Sequence, residues 1–415
     1  MRILKSVLTS LGTSILCLVV SMSLITTAYA LSPGSIGPWT TSANSLPQNI
    51  TASAATTYNN YVYNVGGFNG NSINAVTYAP LNSDGSVGAW LAASALPQSL
   101  DGVSTVAYNG YLYAIGGYDT GGNVWTDAVY YAPINNDGSL GGWTLNGNLL
   151  PSVLAWSTIS INNGYIYITG GYTGIYHSSV YYAPINPNGT IGPWVTSPHS
   201  LPQTIAFATS VVNNGYLYEL GGTDSGTETA AIYYAPLNSD GSVGAWTTNA
   251  TPLPQAISDT EAVTSAGYVY VLGGEVSGFE SAPIYYAQFN SDGSVGAWTT
   301  NATPLPQALM DATTVINNGY VYEMGGTGNL GSVNTVYNAQ ITPIPKVSSG
   351  SNGTSSTTSS TTSDKALDPP DTGFGAPSNT NLWLILGIYG SASASLFGIA
   401  IACNKVYRPK SKQPN

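Results

Sequence analysis

The chain has 415 residues, a net charge of −11 and only eight lysines and arginines. None of those cations lies within residues 31–345, which carry sixteen Asp and Glu; that stretch repels phosphates and anionic surfaces, so nucleic acid is excluded as a partner. The same stretch has no cysteine, so no disulfide staples it and its stability must come from packing.

In chain order, Arg2 and Lys5 precede an apolar, Ser/Thr-dotted run over residues 7–27. Ala28-Tyr29-Ala30 then places small residues at the two positions a signal peptidase reads. The pattern predicts a signal peptide over residues 1–30, with an uncleaved signal anchor as the competing reading because the run is long. Leu16 stands before Cys17, where a lipobox needs a small residue.

Residues 31–345 repeat themselves six times. Gly-Gly doublets close an apolar run at 66–67, 116–117, 170–171, 221–222, 273–274 and 325–326, and tryptophans recur at 39, 90, 143, 194, 246 and 298. A Leu-Pro follows each of these tryptophans, as in Leu46-Pro47 and Leu305-Pro306, and tyrosine pairs mark a third strand, as in Tyr233-Tyr234. Each unit reads as four short strands, a to d. In the fourth unit these are expected at 206–212, 216–220, 231–236 and 243–248, with Asn214-Gly215 and Asp240-Gly241 supplying the turns.

An apolar strand ending in Gly-Gly, a tyrosine strand and a tryptophan, at a period near fifty residues, resembles the kelch repeat. The resemblance covers roughly residues 35–341 and implies an all-β, six-bladed β-propeller. It departs from many kelch repeats in having no Arg at the start of strand a. The phase of the repeat adds a prediction. The first unit begins with a strand d around Trp39, and the last ends with a strand c around Tyr337. The N-terminal strand must then complete the sixth blade and close the ring, leaving no free blade edge.

Residues 346–381 form a Ser/Thr-rich segment, too polar to repay its ordering entropy, and read as a solvated stalk. Residues 382–403 are uncharged and long enough to cross a bilayer as a helix. Residues 404–415 carry Lys405, Arg408, Lys410 and Lys412, and the positive-inside rule assigns them to the cytoplasm. Pro369-Pro370-Asp371-Thr372-Gly373 ahead of this span resembles the sortase sorting signal of Gram-positive-type bacteria, with Pro in place of the usual Leu. That resemblance implies cleavage between Thr372 and Gly373 and attachment to the cell wall. A plain membrane anchor remains the alternative.

The strand order puts the a–b and c–d turns at one end of the blades and the b–c loops and d–a connections at the other. The first end is near-uniform in sequence. The second varies from blade to blade, as expected where binding residues sit on a rigid scaffold. Of the sixteen acids, Asp84, Asp137, Asp240 and Asp292 are turn residues and Glu219 and Glu323 lie on strand b. The variable end takes the other ten: Asp101, Asp119, Asp127, Asp224, Glu228, Asp259, Glu261, Glu275, Glu280 and Asp311. Converging on one mouth, they could hold Ca²⁺ or attract a basic partner; the bland reading is that exposed loops are polar. Seven aromatics share that end: Tyr118, Trp125, Trp156, Tyr172, Tyr176, Phe207 and Phe279. They could stack on sugar rings or grip a protein, or simply pack the rim.

Catalysis is the weaker expectation. A sialidase-like site needs an Arg cluster and a galactose-oxidase-like copper site needs a Tyr–Cys cross-link. The repeat region has neither Arg nor Cys, and its only histidines are His177 and His199. No Ser–His–Asp or paired-carboxylate spacing is legible. The sequence therefore predicts a monomeric, surface-anchored module that binds an extracellular glycan or protein ligand, without an enzymatic role or an obligatory cofactor. A surface component with no specific ligand is the second reading, and a carboxylate-dependent glycan hydrolase or lyase the third.

Overall fold

The computed structural model describes residues 33–343. They belong to the first of two compact units, Met1–Phe374; the second, Gly375–Asn415, lies outside the described residues. The expected signal peptide, stalk, sorting signal, membrane span and basic tail also fall outside them. Among the described residues there is no helix, and the chain forms six four-stranded antiparallel sheets arranged as a six-bladed β-propeller.

Blade 1 consists of strands a (Ala54–Tyr58), b (Tyr61–Val65), c (Val76–Pro80) and d (Leu91–Ala92). Blade 4 repeats it with Thr209–Asn213, Tyr216–Leu220, Ile232–Pro236 and Thr247–Thr248. Strand a of every blade packs against strand a of both neighbours, so these strands line the axis and the d strands lie outermost. The a–b turns need positive φ at both central residues; in blade 4, Asn214 stands at 46° and Gly215 at 77°.

Strand d is shorter than its sequence suggests. In blade 4 only Thr247–Thr248 pairs, after an isolated bridge between Leu237 and Val243. The intervening Trp246 leaves the ladder, and its indole N–H donates to the His199 carbonyl of blade 3 at 3.1 Å. Trp90, Trp143 and Trp194 make the same tie to the preceding blade, whereas the buried indole N–H groups of Trp39 and Trp298 have no partner. The b–c loops, variable in sequence, carry two-residue hairpins in blades 2, 4, 5 and 6, such as Glu275–Val276 against Phe279–Glu280.

Blade faces are held together by equivalent side chains. Tyr63, Tyr113, Tyr167, Tyr218, Tyr270 and Tyr322, the third residue of each strand b, are fully buried. The c–d turn glycine of each blade lies on a tyrosine ring of the blade before it. A Cβ on Gly138 would come within 2.5 Å of the Tyr61 ring, and φ there is +80°. The Gly-Gly doublets have a similar cause: a Cβ on Gly116 would meet the Leu154 carbonyl of the next blade at 2.4 Å.

The N-terminal segment completes blade 6, as the phase of the repeats predicts. Thr40–Thr41 pairs with strand c of that blade (Val336–Gln340), and Ile36 bridges Ile341. Gly34 packs on Tyr268 as a c–d turn glycine would. Buried Asn301 of blade 5 accepts from the Ile36 N–H at 2.9 Å and donates to its carbonyl at 2.9 Å. Asn249 makes the same reciprocal clasp on Val295 between blades 4 and 5. Ring closure therefore uses the same joint as an internal blade contact.

Candidate functional site

The residue six places after the leucine of each Leu-Pro begins the turn into strand a. In the six blades it is Ala52, Gly102, Trp156, Phe207, Asp259 and Asp311. All six are in the left-handed region, with φ between 48° and 57°. The turn points each N–H at one neighbouring blade and each carbonyl at the other. Each N–H donates to the equivalent carbonyl of the preceding blade: Gly102 to Ala52 at 3.0 Å, Trp156 to Gly102 at 2.8 Å, Phe207 to Trp156 at 3.2 Å, Asp259 to Phe207 at 2.8 Å. Asp311 donates to Asp259 at 3.1 Å and Ala52 to Asp311 at 3.2 Å, which closes a ring of six hydrogen bonds around the axis.

This ring stands at the variable end. The residue before each of its members bridges the b–c loop of its own blade, as Asp101 bridges Tyr118 and Ser258 bridges Glu275. Its side chains fall into three adjacent pairs: small (Ala52, Gly102), aromatic (Trp156, Phe207) and acidic (Asp259, Asp311). Only glycine adopts these angles without cost, and a bulky side chain held there stores on the order of 1–2 kcal/mol.

The aromatic pair anchors a continuous surface. The Trp156 and Phe207 rings lie 5.4 Å apart, centroid to centroid. Tyr118 joins Trp156 at 6.1 Å and Trp125 at 5.0 Å, while Tyr172 joins Phe207 at 5.9 Å and Tyr176 at 5.1 Å. The Trp156 indole covers Gly102, where a Cβ would collide with it at 2.6 Å. Six of the seven aromatics expected at this end therefore form one cluster. Phe279 does not join it; it sits at the blade 5 hairpin, 72% exposed.

The ten acids do not converge as a group. Asp259 and Asp311 do, and their carboxyls face each other. Burial, then the facing Asp311 charge, raises Asp259 well above the ordinary carboxylate range; burial also raises Asp311. Both carboxyls are thus displaced toward their protonated forms. Glu261 follows two residues after Asp259, and burial, with the charge of Glu323 next, pushes it up to about 8.

The remaining acids turn to donors in their own or neighbouring loops. Asp119 accepts from the Gly121 and Gly122 N–H groups, and Asp224 from the Thr204 and Ser225 hydroxyls. Glu228 accepts from the Ser277 N–H of blade 5 at 2.8 Å. Glu275 pairs across its hairpin with Glu280, and burial followed by the charges of Glu228 and Glu280 raises it. Asp101 is buried between blades and pushed up to about 6 by that burial. Among the described residues, no three of His, Cys, Asp or Glu come together as a metal-binding group.

Ala52 and Gly102 were not singled out by composition, because neither bears a functional group. The signal that locates them is positional, since reading the sixth residue after each Leu-Pro leucine recovers the ring. No protein-family model matches the chain, and no curated protein matches it in sequence.

Proposed function

We propose that the chain is a surface-anchored binding module of the kelch type that takes a glycan ligand on the aromatic half of the axial ring. The observation that carries this reading is the ring's composition. Glycine fits the ring without strain, as Gly102 does, and aspartate tolerates it, yet two adjacent blades hold the bulky Trp156 and Phe207 at the same backbone angles. Fold stability alone does not favour those residues there. The six clustered aromatics offer broad ring faces for the apolar face of a sugar, and Asp259 and Asp311 beside them can accept from its hydroxyls.

The same geometry favours binding over glycoside hydrolysis. The two mouth aspartates face each other directly, whereas retaining and inverting glycosidases hold their carboxyls about 5 Å or more apart. We read the protein as a non-catalytic monomer without an obligatory cofactor. In this proposal residues 1–30 export it, residues 346–381 raise it above the surface, and residues 382–415 anchor it in the membrane unless cleavage between Thr372 and Gly373 transfers it to a cell wall.

The test is a glycan and protein binding screen of the full-length chain, run with Ca²⁺ and then with chelator. Trp156→Ala and Phe207→Ala should abolish glycan binding, and Asp259→Asn should weaken it about tenfold, the worth of one good hydrogen bond. Unchanged binding by all three variants places the ligand elsewhere. Clean folding with no ligand across the screen favours a purely structural surface component.

A further inference from the structure

Several acids of the propeller are wholly or largely enclosed among groups that carry no positive charge. Glu219, on strand b of blade 4, is completely buried. Its Oε2 accepts from Thr169 at 2.7 Å and Thr158 at 3.0 Å, both on blade 3, and its Oε1 has no partner. Glu323 holds the same strand position in blade 6, accepts from the Thr314 hydroxyl and lies against Gly273 of blade 5. Glu261 of blade 5 faces Glu323, Asp311 and the Thr209 hydroxyl. Asp259 faces Asp311, Ser258 and Glu275.

Every neighbour of these groups is thus a hydroxyl, an apolar group, a backbone amide or another acid. Residues 31–345 contain no Lys or Arg. The two histidines are engaged elsewhere: His177 with the Thr173 hydroxyl, His199 with the Val243 carbonyl.

We propose that this domain is built for an acidic medium, in which its buried carboxyls keep their protons and its fold is most stable. An unpaired buried carboxylate is costly, whereas the neutral acid carries no charge to desolvate and costs far less. The usual routes to acid denaturation are also missing. Acid unfolds proteins by protonating ion-paired carboxylates and by setting cations against each other. This domain has no Lys or Arg to pair with or to repel, and at low pH only His177 and His199 would carry side-chain charge.

The titration directions agree. Burial pushes Glu219, Glu261 and Glu323 up to about 8. A folded state that holds these protons while the unfolded chain releases them near 4.5 loses stability as pH rises from about 4.5 to 8. The turn residues Asp84, Asp137, Asp240 and Asp292 run the other way, lowered by serine hydroxyls and amides, so their contribution is lost as pH falls below 3.8. They are fully exposed and weigh little against the fully buried Glu219 and Glu323 and the half-buried Glu261. The stability maximum is therefore expected near pH 4.

The decisive experiment is thermal unfolding of the full-length chain from pH 3 to pH 9, with proton release on unfolding at pH 7 measured alongside. The melting temperature should fall by about 10 °C or more between pH 4 and pH 8, and unfolding at pH 7 should release about three protons or more. The Glu219→Gln/Glu261→Gln/Glu323→Gln variant should flatten most of that fall. A melting temperature that stays level or rises from pH 4 to pH 8 overturns the proposal. Unfolding at pH 7 without proton release does the same in the unmodified chain, so the conclusion does not depend on the triple variant folding.

Discussion

Asn301→Ala tests whether the ring is held shut by the clasp on the N-terminal strand. Asn301 is 4% exposed and Ile36 1%, so neither backbone group of Ile36 can turn to water when the amide is removed. The Ile36 carbonyl keeps the Thr303 hydroxyl at 2.8 Å, but its N–H loses its only side-chain partner. A stranded buried donor costs about 1–3 kcal/mol, and the lost bonds to Ile36 and Thr303 add about 1 kcal/mol each. The sum is about 3–5 kcal/mol. Asn249→Ala breaks the equivalent clasp on Val295, where the chain continues on both sides, and should have a similar total cost. The two should differ in how they open. Only in Asn301→Ala can residues 33–42 peel away while the remaining blades stay folded. Urea unfolding would give the total cost, and hydrogen exchange at Ile36 and Ser42 would show the local opening. Equal protection of those amides in both variants, or an Asn301→Ala cost below about 1 kcal/mol, would refute the argument.

Other positions give independent checks. Gly138→Ala adds a Cβ at φ +80° within 2.5 Å of the Tyr61 ring, and should cost about 2–4 kcal/mol; Gly142→Ala, with open space around it, should be nearly neutral by the same denaturation assay. Ala52→Gly relieves a left-handed residue at φ 48° and should stabilise the fold by about 0.5 kcal/mol, after the larger entropy of unfolded glycine is deducted. Glu219→Gln keeps the side-chain shape but cannot ionise. The unmodified chain should lose about 2–3 kcal/mol relative to that variant between pH 5 and pH 7, and a constant difference would show that Glu219 does not hold its proton.

Much of the architecture is legible in one dimension because each blade is a local device. Asn-Gly and Asp-Gly place their turns by backbone chemistry alone, and the tyrosine at the third position of strand b repeats because every blade buries the same face. Even closure by the N-terminal strand follows from the phase of Trp39 and Tyr337, since a strand d without its blade must find the blade without its strand d. The extent of strand d was not legible, because Trp246 leaves its own ladder to bond a carbonyl in the neighbouring blade.

The site was only half readable for the same reason. Sequence alone determined that the acids and aromatics of the connecting loops share one end of the propeller. Only the tertiary structure decided which of them meet. Trp156, Phe207, Asp259 and Asp311 lie about fifty residues apart in sequence and become neighbours through hydrogen bonds between blades. Asp119, Asp224 and Glu228, equally acidic and equally well placed in the repeat, turn instead to donors in nearby loops. Where a side chain points is set by whichever donor or packing partner lies within reach once the blades have assembled, and that distance is not recorded in the order of residues along the chain.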